Sequence, residues 1–357
     1  MMFETFGFEE TTARQAAVWL GLLLGLAFGG LADASRFCIR RALVGPKEER
    51  RPAMGVWLAA LAAAVIGTTL VTTTGLISFD DHRFMASELP ALAIIVGGLA
   101  FGAGMVLTRG CVSRLTVLTG SGNLRALTVL LVFAFVAHAT LKGVFAPVRS
   151  ALGSVTVPLD ETVSLADLPG GALLWAPIIA VTALGFAARS GARPLHLGLG
   201  VLIGLLVPAA WAGTGFVLYD EFDPIAMESL SFTLPSAEAL FWGIASSSIS
   251  PSFGVGLLGG VLAGALALSL ISGRFQWQSF ESPRQTGRYL AGATLMGVGG
   301  VLAGGCTVGA GLAGVPTLSF AAILALVSIA AGGLLMDRLL RAPSHVASAP
   351  QTVQPAQ

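Results

Sequence analysis

Three cysteines stand where an apolar run meets a polar loop: Ser35-Arg36-Phe37-Cys38, Arg109-Gly110-Cys111-Val112-Ser113-Arg114 and Gly304-Gly305-Cys306-Thr307. Three thiols with no CxxC pair make no disulfide framework. A membrane cysteine is ordinarily a small packed hydrophobe, but here every cysteine of the chain lies among Gly, Ser, Thr and Arg. Separated thiols suit a soft species, either a sulfur compound or a thiophilic metal. The neighbours discriminate. No His, Met or carboxylate flanks Cys111 or Cys306 at ligand spacing, whereas Arg36, Arg109, Arg114 and Arg125 stand near the cysteines. Hydroxyls on Ser35, Ser113, Thr116, Thr119, Ser121 and Thr307 add hydrogen-bonding groups. Cationic and soft together point to an anion that carries sulfur. The expected path comprises Cys38, Cys111, Cys306, Arg36, Arg109, Gly110, Ser113, Arg114, Gly305 and Thr307. No catalytic residue, metal ligand or cofactor is assigned.

The elements that must hold these residues are membrane helices. Of 357 residues 55% are apolar and 11% charged, less than half the usual charged share of about 25%, and the mean hydropathy is +0.83. That composition excludes a nucleic-acid binder and a disordered scaffold. Runs near the 20 residues needed to cross a bilayer fall at 15–35, 53–77, 90–108, 126–147, 171–188, 195–217, 253–272, 287–304 and 317–337. Gln15 to Leu31 is not read as a signal peptide, because Glu4, Glu9 and Glu10 precede it against a lone Arg14. With nine alternating spans, sixteen of the 20 basic residues share one side. Asp80, Asp81, Glu88, Asp160, Glu161, Asp167, Asp220, Glu221, Asp223, Glu228 and Glu238 share the other. The positive-inside rule then places the N-terminus outside and the C-terminus in the cytoplasm. The fold class is an all-α polytopic membrane protein of about nine transmembrane helices, with short loop or re-entrant segments carrying the cysteines.

The chain also repeats itself. Gly21 to Leu26 aligns with Gly200 to Leu205, Pro52 to Val56 with Pro251 to Val255, and Gly102 to Cys111 with Gly297 to Cys306. Spans one to four thus correspond to spans six to nine, with the fifth as connector and about twenty extra residues in the 218–250 loop. Five spans separate each pair, so the halves have opposite topology, an arrangement that places transporter sites at the repeat interface. The expected organisation is a segment 1–14 outside, a first four-helix repeat 15–147 and a connector 148–194. A second repeat 195–341 and a disordered cytoplasmic tail 342–357 follow. Val217 takes the place of Cys38 in the second half, so the thiols are asymmetric. Gly21, Gly25 and Gly29, and likewise Gly256, Gly260 and Gly264, fall four apart and form small faces for close helix packing. Helices beginning near Asn123 and Thr317 would turn their N-terminal ends toward the cysteine loops.

Arg36-Phe37-Cys38, Gly104-Met105-Val106-Leu107-Thr108-Arg109-Gly110-Cys111 and Leu302-Ala303-Gly304-Gly305-Cys306-Thr307-Val308-Gly309-Ala310-Gly311 resemble the signature loops of the YeeE/YedE membrane proteins. The resemblance runs from about residue 15 to 340, and its specific part is the two Gly-Cys loops. It implies an hourglass-shaped bundle of inverted halves in a bacterial inner membrane, with central loops carrying the cysteines. It also implies uptake of thiosulfate or a related sulfur anion and, on the cytoplasmic side, a small TusA-like sulfur carrier. Arg109 departs from the pattern, since family members often have a small residue there. Neutral thiols donating to the soft terminal sulfur would form a hydrogen-bond relay. A soft-metal permease and an intramembrane sulfurtransferase forming a cysteine persulfide are the competing classes. GxxxxGK[ST] is absent, which removes ATP as the direct energy source.

Overall fold

A computed structural model describes residues 12–160, 162–220 and 223–341. Glu161, Glu221, most of the 1–14 segment and the 342–357 tail lie outside the described residues. Among the described residues the regular structure is helical apart from isolated bridges and a two-residue antiparallel pair, in which β1 (Glu88–Leu89) faces β2 (Val157–Pro158). Its long helices are α1 (Ala13–Ser35), α3 (Lys47–Thr73), α4 (Ala91–Leu107), α6 (Leu124–Lys142), α8 (Gly171–Ala188), α9 (Pro194–Ala212), α11 (Phe253–Ile271), α12 (Pro283–Leu302) and α13 (Phe320–Arg341). Among the described residues, nine helical segments are long and apolar enough to cross a membrane. Between them lie the short helices α2 (Ile39–Val44), α5 (Val112–Gly120), α7 (Ala146–Gly153) and α10 (Thr233–Ala245).

Local chemistry accounts for the starts. Thr12 and Gln15 form a capping box at α1, each side chain bonding the other's backbone amide at 3.2 Å. Asn123 caps α6 through the Ala126 amide at 3.0 Å, and Ser282 caps α12, with Pro283 at its first turn. The apolar run beginning at 53 understates α3, which starts at Lys47 and takes Pro52 inside the helix. Conversely, α10 was hidden in the 218–250 stretch, because thirteen residues cannot be told from a loop by a rule seeking spans of about 20. It packs on α6 and α11 and stacks Phe241 on His138, with ring centroids 4.6 Å apart.

Each half is packed mostly on the other. α1 lies along α11 and α9 along α3; α4 lies along α13 and α12 along α6; α4 and α12 cross directly. The two glycine ladders read from the sequence face each other. A Cβ on Gly21, Gly25 or Gly29 would run into backbone of Phe253, Leu257 or Val261. One on Gly256, Gly260 or Gly264 would strike backbone of Val18, Leu22 or Leu26. α8 packs on α3 and leaves Leu173 and Val181 exposed, as a lipid-facing connector would. Asn123–Gln278 (2.8 Å) and Arg274–Asp33 (2.8 Å) tie together the loops of one face. Ser319 to the Phe84 carbonyl (2.6 Å) and Thr214 to the Glu228 carbonyl (2.7 Å) tie those of the opposite face.

Candidate functional site

The three spans bearing cysteines do not end before them; they break and restart. At each break the amide of the preceding residue donates back five positions: Phe37 to Ala32 (3.0 Å), Gly110 to Met105 (3.1 Å) and Gly305 to Gly300 (2.9 Å). The residue two before each cysteine is left-handed: Arg36 at φ 53°, Arg109 at φ 61° and Gly304 at φ 72°. This is a helix stop closed by a 6→1 hydrogen bond. Gly304 adopts it freely, while the two arginines pay about 1–2 kcal/mol each for the same turn.

Helix then resumes at once. Cys38 is the residue before α2, Cys111 the residue before α5, and Cys306 the residue before a π-helical segment, Thr307–Gly314. The N-termini that meet the thiols are therefore these, not those near Asn123 and Thr317: α6 starts at Leu124, and Thr317 closes a 3-10 turn ahead of α13. Broken helices of this kind leave backbone groups free inside a membrane only where protein or a cavity satisfies them. The Gly309 amide, for example, donates to the Cys306 sulfur at 3.4 Å. α9 has no such stop. It runs on through a π-helical turn, Gly213–Val217, and Val217 stands where a fourth cysteine would.

All three thiols are buried, Cys306 completely, and they converge. The Cys38 thiol interacts with the Cys111 thiol. Cys111 lies 3.3 Å from the Ser113 hydroxyl and also interacts with the Thr307 hydroxyl, which adjoins Cys306. The order is thus Cys38, Cys111, Cys306, with Ser113 and Thr307 beside the middle thiol. Among the described residues no group of three or more His, Cys, Asp or Glu is arranged to hold a metal ion.

A cavity lies beyond each end of this row. Past Cys306 is one of about 540 Å³, lined by Asp80, Asp81, His82, Arg83, Trp211, Glu228, Ser231 and Gly309 among others. Arg83 is exposed, lines both this cavity and a neighbouring one of about 220 Å³, and lies within electrostatic range of Cys306 and Glu228. Burial, reinforced by Glu238 and opposed by Arg83, pushes the Glu228 carboxyl up to about 7. Burial and then Arg83 bring His82 down to about 4. Past Cys38 is a cavity of about 310 Å³ lined by Asp33, Arg36, Arg114, Leu118, Ser121, Asn123, Arg274 and Gln278. Arg114 is within electrostatic range of both Cys38 and Cys111.

Of the residues expected on the path, Cys38, Cys111, Cys306, Ser113, Thr307, Arg114 and Arg36 gather here. Gly110 and Gly305 form the turns. Arg109 does not join them: it is exposed and lines a separate pocket of about 160 Å³ with Arg125 and Tyr289. The sequence reading missed His82, Arg83 and Glu228, which sit in loops with no motif, and Arg274. Asp33 pairs with that distant residue rather than with neighbouring Arg36 or Arg40.

A family model described as "Sulphur transport" matches residues 34–335. Two curated relatives are each named thiosulfate transporter TsuA. The protein of Spirochaeta thermophila is 27% identical over 340 residues, covering 90% of this chain and 99% of its own length. That of Escherichia coli is 26% identical over 323 residues, covering 82% and 86%.

Proposed function

The chain belongs to the sulphur-transport family, and from this premise we propose that it carries thiosulfate through the row formed by Cys306, Cys111 and Cys38. It is a multi-pass membrane transporter, not an enzyme. The observation that carries the reading is the row itself: three buried thiols between two cavities that each present arginine.

A dianion entering hydrocarbon faces a desolvation cost of tens of kcal/mol unless the protein replaces its water. Arg83 draws the anion into the first cavity. The terminal sulfur accepts S–H donation from Cys306, then Cys111, then Cys38, while Thr307 and Ser113 serve the sulfonate oxygens beside the middle thiol. Arg114 and Arg36 receive it at the far end. Thiols are weak donors, which suits a conducting site, since an ion bound too firmly at any station would not leave. No bond to sulfur forms or breaks in this relay. The Arg83 side is assigned outward and the arginine-rich Asp33 side to the cytoplasm of a bacterial inner membrane, following the charge asymmetry. A TusA-like carrier is the proposed acceptor there.

The test is uptake of labelled thiosulfate by vesicles carrying wild type or the Cys38→Ser, Cys111→Ser and Cys306→Ser variants, with sulfate and sulfite as competitors. Wild-type uptake that each variant reduces at least tenfold supports the relay. Full uptake by Cys111→Ser would sink it, and a cysteine mass gain of one sulfur would favour the persulfide enzyme.

A further inference from the structure

The cavity beyond Cys38 holds an imbalance of charge with a definite geometry. Its charged lining is three arginines, Arg36, Arg114 and Arg274, and one carboxylate, Asp33. Asp33 is buried, and its two oxygens are divided between partners at unequal range. One lies 2.8 Å from Arg274 Nη2; the other lies 4.0 Å from Arg114 Nη1. Arg114 instead makes a long, 3.5 Å hydrogen bond to the Ala32 carbonyl and stays within electrostatic range of Cys38 and Cys111. So Asp33 holds Arg274 firmly and Arg114 loosely, and Arg114 is the cation of this cavity that interacts with both Cys38 and Cys111. The pair also joins the halves: Asp33 is on α1, and Arg274 follows α11, the helix packed along it.

Three guanidiniums and one carboxylate leave a surplus of two positive charges, which matches a dianion. Three unopposed arginines in a partly buried pocket would hold such an ion too well to let it go, because charge-assisted bonds to guanidinium are among the strong ones. A carboxylate already in the pocket competes for the same donors. We propose that Asp33 is the release residue of the pathway: as the anion leaves Cys38 for Arg114, Asp33 takes the guanidinium back and frees the ion. Asp33 acts through Arg114 and Arg274 and does not itself bind the anion. The assignment rests on the thiosulfate-transport reading and adds a residue to it.

The test separates binding from turnover. Thiosulfate binding to purified protein and saturable uptake into vesicles are measured for wild type, Asp33→Asn and Arg274→Gln. Asp33→Asn, which removes the competitor, is expected to bind on the order of tenfold more tightly and to take up thiosulfate several-fold more slowly at saturation, so that KM and kcat fall together. Arg274→Gln releases Asp33 toward Arg114 and is expected to weaken binding. If Asp33→Asn does not yield folded protein, Arg274→Gln reads the same relation from the other side. Binding by Asp33→Asn that is unchanged or weaker, or Arg274→Gln binding as wild type does, overturns the role of Asp33. Absence of uptake by wild type would instead overturn the transport reading.

Discussion

Arg109 and Gly304 occupy the same backbone turn, at φ 61° and φ 72°, each two residues ahead of a buried thiol. One is the largest cation and the other has no side chain, so the turn, not the residue, is what the thiol requires. The left-handed conformation costs a non-glycine residue about 1–2 kcal/mol. The Arg109 side chain is exposed and apart from the thiol row. Arg109→Gly is therefore expected to retain thiosulfate uptake within about twofold and to leave stability unchanged or raised by up to about 1 kcal/mol. Arg114→Gln, which strips the cation beside Cys38 and Cys111, is expected to lower uptake at least tenfold at equal protein level. Vesicle uptake and thermal unfolding in detergent check both.

Ser113 offers a finer test of the middle station. Its hydroxyl is 3.3 Å from the Cys111 sulfur, and either atom can donate. Ser113→Ala leaves the thiol in place but removes one partner, a change worth about 0.5–1.5 kcal/mol. Uptake is expected to fall by roughly three- to tenfold, less than for Cys111→Ala. Competition by sulfate should change little, because the soft contact survives.

The facing ladders of α1 and α11 predict a structural failure of another kind. A Cβ at Gly260 would overlap the Leu22 carbonyl and press on the Leu26 amide, neither of which can move aside without its helix. Gly260→Ala is expected to cost about 1–3 kcal/mol as overpacking and to lower the folded yield. Gly259→Ala, one residue away, meets only the end of Leu22 at 4.0 Å and should be tolerated. Size-exclusion profiles of the two variants decide this.

The contrast between those neighbours also marks what was legible in the sequence. The four-residue spacing of Gly256, Gly260 and Gly264 identified a close-packing face, and the structure presents that face to Gly21, Gly25 and Gly29. Nine apolar runs were likewise readable, since their signal is local. That the chain breaks at the cysteines was readable too, but the immediate helical restarts were not. An apolar count stops at 108 or 304, whereas the fold continues through a left-handed turn into α5, which is buried between α6 and α11, or into the π-helical segment, which is buried chiefly against α13. The partners of Asp33 and of Cys306 were also beyond reach. Arg274 is 241 residues from Asp33, and Arg83 comes to the Cys306 end from a loop whose residues form no motif.

Glu228 makes the first cavity sensitive to pH. Its carboxyl is held at about 7 by burial, with Glu238 adding to the effect and Arg83 opposing it. The folded value lies above the ordinary 4.5, so the fold favours the protonated form. The stability this confers is complete below about pH 4.5 and is lost as pH rises through about 7. Gln imitates the protonated side chain. Glu228→Gln is therefore expected to melt as wild type does near pH 5 and to be more stable at pH 8, by on the order of 2 kcal/mol. His82, brought down to about 4, stays neutral across that window and does not offset the change. The same ionisation acts on transport. Above pH 7 a charged Glu228 neutralises Arg83 and repels an incoming dianion, so wild-type uptake should decline between pH 6 and 8 while Glu228→Gln stays level. Parallel pH profiles of uptake and melting test the two effects together. A decline of equal size in the variant would remove Glu228 as its cause.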